Sequence, residues 1–169
     1  MKRLIGMLSA IALAGSFGFA SAVPDRPLLR ICQWGGTPVA PTGSVASDPG
    51  LTLTPATADV PFKATGELTG GGRCKGTMTF VGFILAGSTC EAQWFDGVVK
   101  GLPGVARFSG PGALGVVHEF LYDRQGNIVG ADQPLLQVPQ PDGYSHAQDC
   151  ATPEGFTRAV FSSRIELWG

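Results

Sequence analysis

The cleanest alternation of apolar and polar positions in this chain lies between Val60 and Thr69. Val60, Phe62, Ala64, Gly66 and Leu68 fall on one side, and Pro61, Lys63, Thr65, Glu67 and Thr69 on the other. A period of two predicts a strand with one buried and one wet face. The period returns at the end of the chain. There Thr157, Ala159, Phe161, Ser163, Ile165 and Leu167 alternate with Arg158, Val160, Ser162, Arg164, Glu166 and Trp168. Leu28 to Trp34 predicts a first strand after the extended lead-in of Pro24 and Pro27. From Cys74 a further strand is expected, with Met78 and Phe80 on one face. It should turn through the glycine-punctuated apolar tip 82–87 and return to Cys90. Val116 to Tyr122, the turn Asp123 to Asn127 and Ile128-Val129 predict a hairpin.

Other stretches are less regular. Gly35 to Gly50 predicts a loop or a pair of short irregular strands, Leu51 to Thr54 a short edge strand, and Pro134 to Asp149 a loop. Gly104 to Gly115 is broken by glycines and Pro111. In Glu91 to Leu102, Trp94 and Phe95 are neighbours and must point to opposite faces of a strand. That strand is either covered on both sides or shows an aromatic side chain to solvent. The apolar residues around Trp94 favour the core for it. The mixed face around Trp168 favours exposure. No stretch after the N-terminus holds a helical period over ten residues. Many strands between Gly/Pro turns predict an all-β fold, an antiparallel β-sandwich or β-barrel.

The N-terminus carries a different pattern. Lys2 and Arg3 precede the uncharged, mostly apolar run Leu4 to Phe19, and Ala20-Ser21-Ala22 supplies a small-residue cleavage site. This predicts a signal peptide over 1–22 and one secreted β domain over 23–169. No later run is long and apolar enough to predict a span. Without Lys2 and Arg3, ten basic residues face thirteen acidic ones. That balance argues against a nucleic-acid or anionic-membrane binder. The 25 glycines and 13 prolines, beside an ordinary apolar fraction, fit a turn-rich folded chain.

Four cysteines, Cys32, Cys74, Cys90 and Cys150, predict two disulfides in an exported chain. Three pairings are open. The expected one joins Cys74 to Cys90 across the local hairpin and Cys32 to Cys150. A zinc site lacks the necessary C-x-x-C pair, and no metal or other cofactor is expected.

Catalytic signals are sparse. There is no G-x-S-x-G elbow, phosphate loop or H-E-x-x-H motif. His118 reads as a hydrogen-bonded sheet residue. His146, with Asp142, Tyr144 and Asp149 nearby, reads as part of a polar loop. Asp96 and Glu119 are strand carboxylates that could face one another, and Asp123 to Asn127 reads as a plain turn. No catalytic residue is assigned. The aromatic residues are the better lead. Trp34, Trp94, Tyr122 and Trp168 are the candidate ligand-binding residues of an apolar platform or pocket.

The Cys74-x-Gly76-x-x-x-Phe80 and Gly87-x-x-Cys90 motifs, Leu51 to Pro55, the Phe120 to Gly126 hairpin and the late Cys150 together resemble small secreted all-β proteins of high-GC Gram-positive (actinobacterial) bacteria. The resemblance covers most of 32–168. It implies a signal, an all-β body and paired cysteines, and carries no catalytic residue. In class the chain is also similar to chromoprotein carriers of the neocarzinostatin type, which hold a ligand in a cleft. Subtilisin-inhibitor-like proteins share the two disulfides, and the 82–87 tip would be the reactive loop such an inhibitor needs. The expected function is a secreted, non-enzymatic binding or interaction domain with an apolar aromatic surface. Its partner would be an extracellular protein, glycan or small molecule. A small-molecule carrier with an enclosed cleft is the alternative, ahead of a secreted hydrolase or protease inhibitor.

Overall fold

A computed structural model describes residues 26–137 and 146–169, with the side chains of His146 and Ala147 outside the description. The expected signal segment, Asp142 and Tyr144 also lie outside the described residues. The strands are β1 (Leu28–Trp34), β2 (Gly36–Thr37), β3 (Ala40–Pro41), β4 (Gly43–Leu51), β5 (Val60–Gly71), β6 (Cys74–Ile84), β7 (Ala92–Lys100), β8 (Arg107–Ala113), β9 (Val116–Val117), β10 (Glu119–Tyr122), β11 (Ile128–Gln137) and β12 (Phe156–Trp168). One short helix, α1 (His146–Cys150), precedes β12.

The main sheet is antiparallel and closed. Eight strands run around the ring in the order β12, β4, β5, β6, β7, β8, β10, β11 and back to β12. Two ring positions are shared. β4 fills the space between the first halves of β12 and β5, and β1 fills it between their second halves. β9 and β10 share the place between β8 and β11. The fold is therefore a barrel, which settles the choice between sandwich and barrel.

Alternation along the strands decides what fills the interior. Val60, Phe62, Ala64 and Leu68 of β5 point inward, as their period predicts, and so do Met78 and Phe80 of β6 and Ala159 to Leu167 on alternate positions of β12. Six aromatic side chains form the centre. Trp34 packs on Phe80 and Phe161 with ring centroids 4.6 and 4.4 Å apart. Phe80 stacks on Phe108 at 4.2 Å, and Phe62 meets Phe95 and Phe108 edge-on. Such contacts add to the area buried. The indole N–H of Trp34 donates to the carbonyls of Gly66 and Met78, each at 3.2 Å, so its one polar atom is satisfied.

Several expectations are corrected. β6 does not turn at Gly82. It runs straight to Ile84, and Gly82 faces Gly97 of β7 across the ladder. A Cβ on Gly82 would lie 2.2 Å from the carbonyl of Asp96, and the Phe108 ring occupies the space over Gly97. These glycines serve close packing within a strand, not a bend. The real turn spans 85–91 and is pinned to the 52–59 loop by Gly87 N to Ala56 O and Cys90 N to Thr52 O, both 2.8 Å. Residues 43–51 are a full barrel strand, and Leu51 ends it instead of starting an edge strand. Arg107–Ala113 is a strand despite its glycines, and β11 carries on through Pro134 to Gln137.

The expected cysteine pairing is also wrong. The disulfides are Cys32–Cys74 and Cys90–Cys150, with Cα atoms 5.4 and 5.6 Å apart. The reason is strand length. Eleven residues of β6 separate Cys74 from the turn that carries Cys90, about 35 Å of strand. The two cysteines therefore sit at opposite ends of the barrel. Cys74 follows the 70–73 turn, where β5 pairs with β1 at Gln33 and Trp34, and so meets Cys32. Cys90 meets the helix that leads into β12.

Tryptic digestion without reduction is expected to yield peptide 31–63 linked to 74–75 and peptide 76–100 linked to 125–158. A 74–75 peptide linked to 76–100 would contradict the register of β6. Replacing Cys32 and Cys74 together by serine is expected to cost about 4 kcal/mol on the chain-entropy model, read by urea unfolding. Trp34→Ala is expected to cost about 3–5 kcal/mol, because it opens a hole at the centre of the aromatic cluster.

Candidate functional site

Closure sorts the candidate residues into an inner and an outer set. Trp34 is 1% exposed and belongs to the core. The other three aromatic candidates lie outside it. Trp94 is 48% exposed on β7, which overturns its expected place in the core. Tyr122 is half-buried on the outer face of β10, with its hydroxyl 3.2 Å from Ser109 Oγ. Trp168 is half-buried at the end of β12. The four therefore do not form one platform. The four cysteines are all disulfide-bonded and structural.

Trp94 and Tyr122 do share a wall. Its rows follow from the ladder registers. One row runs Lys63, Val81, Val98, Arg107, Tyr122, and the next runs Pro61, Phe83, Asp96, Ser109, Phe120. A third brings Trp94 opposite Pro111. Phe83 is 50% exposed, and Val81 and Val98 are exposed beside it. Within these apolar residues sits one ion pair, Arg107 Nη2 to both oxygens of Asp96 at 3.1 and 3.3 Å. Asp96 is thus committed on the outside and does not face Glu119, contrary to one of the sequence-based options.

Glu119 points inward, where its cross-strand partner on β11 is Asp132. The two are 4% and 0% exposed. The Ser163 hydroxyl of β12 donates to Asp132 Oδ1. Glu119 Oε2 and Asp132 Oδ2 have no partner among the described residues. Burial raises the Glu119 carboxyl well above its usual range, and the neighbouring Asp132 raises it further. Burial also raises Asp132, to about 7, against the lowering effect of Ser163 and of the Gln133 amide. The pair thus favours holding protons over carrying two charges in an apolar interior.

Glu119 borders a cavity of about 30 Å³ among Trp34, Phe80, Val117 and Phe161, and a second of similar size lies towards Leu51 and Gln93. These volumes suit ordered water, whereas organic ligands occupy pockets of about 300–1,000 Å³. The described interior is packed around these small cavities. No group of three or more His, Cys, Asp or Glu side chains that could hold a metal ion occurs among the described residues. His118 is exposed between β9 and β10, on the face opposite Glu119. Asp123 is a turn residue as expected: its carboxylate accepts from the amides of Gln125 and Asn127 and from Asn127 Nδ2.

Sequence reasoning missed Phe83 and Asp132. Phe83 was hidden by the supposed turn at 82–87. The signal for Asp132 was the alternation Gly130, Asp132, Pro134, which places all three on the inner face once β11 is known to continue. Comparison with protein-family models, curated proteins and solved structures gives no match.

The carboxyl pair makes a signed prediction. A carboxyl whose folded pKa is raised favours folding below its unfolded pKa, near 4, and loses that advantage as pH rises through the folded value. The unfolding constant is expected to rise between pH 4 and pH 7, by up to about tenfold per pH unit for each group that ionises only on unfolding. Chemical unfolding across that range checks this. The double variant Glu119→Gln, Asp132→Asn is expected to flatten the dependence, and an equally steep profile in that variant would assign it to other groups.

Proposed function

We propose that this is a secreted, non-enzymatic binding protein that docks an extracellular protein on the outer wall of β6, β7, β8 and β10. The observation that carries this reading is the exposure of Phe83 and Trp94 beside Val81 and Val98 on one continuous face. Large apolar side chains grouped in this way mark interaction surfaces more often than single exposed ones do. Aromatic residues around a central arginine match the composition of interface cores. The adjoining valines favour a protein partner over a glycan, which would need polar groups beside its stacking ring.

Secretion fits the two disulfides and the expected signal segment. No helix among the described residues is long and apolar enough to cross a membrane. Kinship with small secreted actinobacterial proteins belongs to the same reading and rests on the sequence motifs. A closed sheet offers no free edge along this wall, so binding here works through side chains and not by strand addition.

A photo-crosslinking residue placed at position 94 tests the proposal against one placed at 158. Arg158 lies on β12, across the ring from β7. Position 94 is expected to capture one discrete extracellular protein that position 158 does not. With that partner in hand, Phe83→Ala with Trp94→Ala should weaken binding at least about thirtyfold. Capture from both positions, from neither, or of a second copy of this chain alone would sink the proposal.

A further inference from the structure

Basic side chains are concentrated at one end of the barrel. Arg26, Arg30, Arg73, Lys75, Lys100 and Arg124 lie at the end that carries Cys32–Cys74, together with Glu67, Asp123 and Glu166. Asp48, Asp59, Glu91, Asp149 and Glu154 lie at the other, with Arg158 beside them. At the basic end a groove of about 270 Å³ runs between Arg30 and Arg73, over Leu29, Val105, Leu167 and Trp168. Past Gly104, Val105 and Val129 it continues into a hollow of about 720 Å³ bounded by Leu102, Pro103, Asp123 and Arg124.

Both arginines are exposed and touch the backbone of a neighbouring turn. Arg30 Nη1 donates to the Gly71 carbonyl at 3.2 Å, and Arg73 Nη1 donates to the Pro103 carbonyl at 3.3 Å. Each guanidinium also lies against a glycine with positive φ. A Cβ on Gly72 would stand 2.5 Å from Arg30 Nη1, and one on Gly104 would stand 3.0 Å from Arg73 Nη1. Each guanidinium has five N–H donors, so one bond to a carbonyl leaves others free. The ion pairs among the described residues use Arg107 and Arg164, not these. The nearby carboxylate of Asp123 is engaged by its own turn.

We propose that this groove binds an amphipathic organic anion, with a carboxylate head between Arg30 and Arg73 and an apolar tail over Leu29, Val105, Leu167 and Trp168. Guanidinium forks match a carboxylate in geometry and charge. The apolar floor gives the tail a surface that a free inorganic anion would not use. The site is separate from the outer wall of β6 to β10, and neither proposal depends on the other.

Calorimetry with decanoate, decanol and acetate, below micelle-forming concentrations, tests it. Decanoate should bind one to one and at least about tenfold more tightly than either of the others, since a charged hydrogen bond is worth that much. About 0.5 M NaCl should weaken decanoate and leave decanol unchanged. Arg30→Gln with Arg73→Gln should remove the preference for decanoate. The salt comparison on the unaltered protein decides the matter if that variant fails to fold. Decanoate should also change tryptophan fluorescence in the unaltered protein but not in Trp168→Phe. Equal binding of decanoate and decanol, no binding of decanoate, or a fluorescence response that survives Trp168→Phe would each overturn the proposal.

Discussion

The barrel depends on β12 pairing along both of its edges. Thirteen residues let it hold β11 on one side and β1 and β4 in succession on the other. Closure then assigns every strand residue to a packed interior or to the surface. A closed single sheet has no further layer to cover its outer face. Trp94 and Phe95 show the consequence. Their adjacency demanded either cover on both sides or an exposed aromatic residue, and closure leaves only exposure. The outer wall is thus the apolar residue left over when the interior has taken its share.

The interior makes one costly concession. Glu119 and Asp132 occupy inward positions where well-packed apolar side chains would be at least as stable, because removing charge from water is expensive and only Ser163 and the Gln133 amide help. Keeping the pair protonated reduces that cost but ties stability to pH. The packed aromatic cluster beside them leaves no room for a substrate as the barrel stands. A general acid needs a substrate within hydrogen-bond reach, and cavities of about 30 Å³ admit no organic molecule.

Much of the strand structure was legible because alternation is a local signal. β1, β5 and β12 follow their apolar period, and the 123–127 turn follows from Asp123 and Gly126. What was not legible depended on contacts across the ring. β4 carries only Val45 and Leu51 as large apolar residues, and Gly43 is there to admit the Phe161 ring, whose partner lies more than a hundred residues away. Gly82 looks like a turn in sequence and is a packing contact in space. The disulfide pairing failed for the same reason, since nearness along the chain was taken for nearness in the fold. Among candidate residues, Trp94 and Tyr122 share one wall, and seeing that wall required the register of four strands. Arg30 and Arg73 carried no sequence motif at all.

The two disulfides divide the labour between the ends. Cys32–Cys74 ties β1 to the start of β6, beside the arginine groove, and Cys90–Cys150 ties the 85–91 turn to α1 at the acidic end. About 35 Å of strand lies between them, several times the screening length of about 8 Å at physiological salt. Acids at one end therefore cannot neutralise arginines at the other. At the arginine end Glu166 is paired with Arg164 and Asp123 is engaged by its own turn, while Arg30 and Arg73 donate to backbone carbonyls. One backbone bond to each arginine restricts the pair above its apolar floor, which reduces the ordering entropy that anion binding must supply.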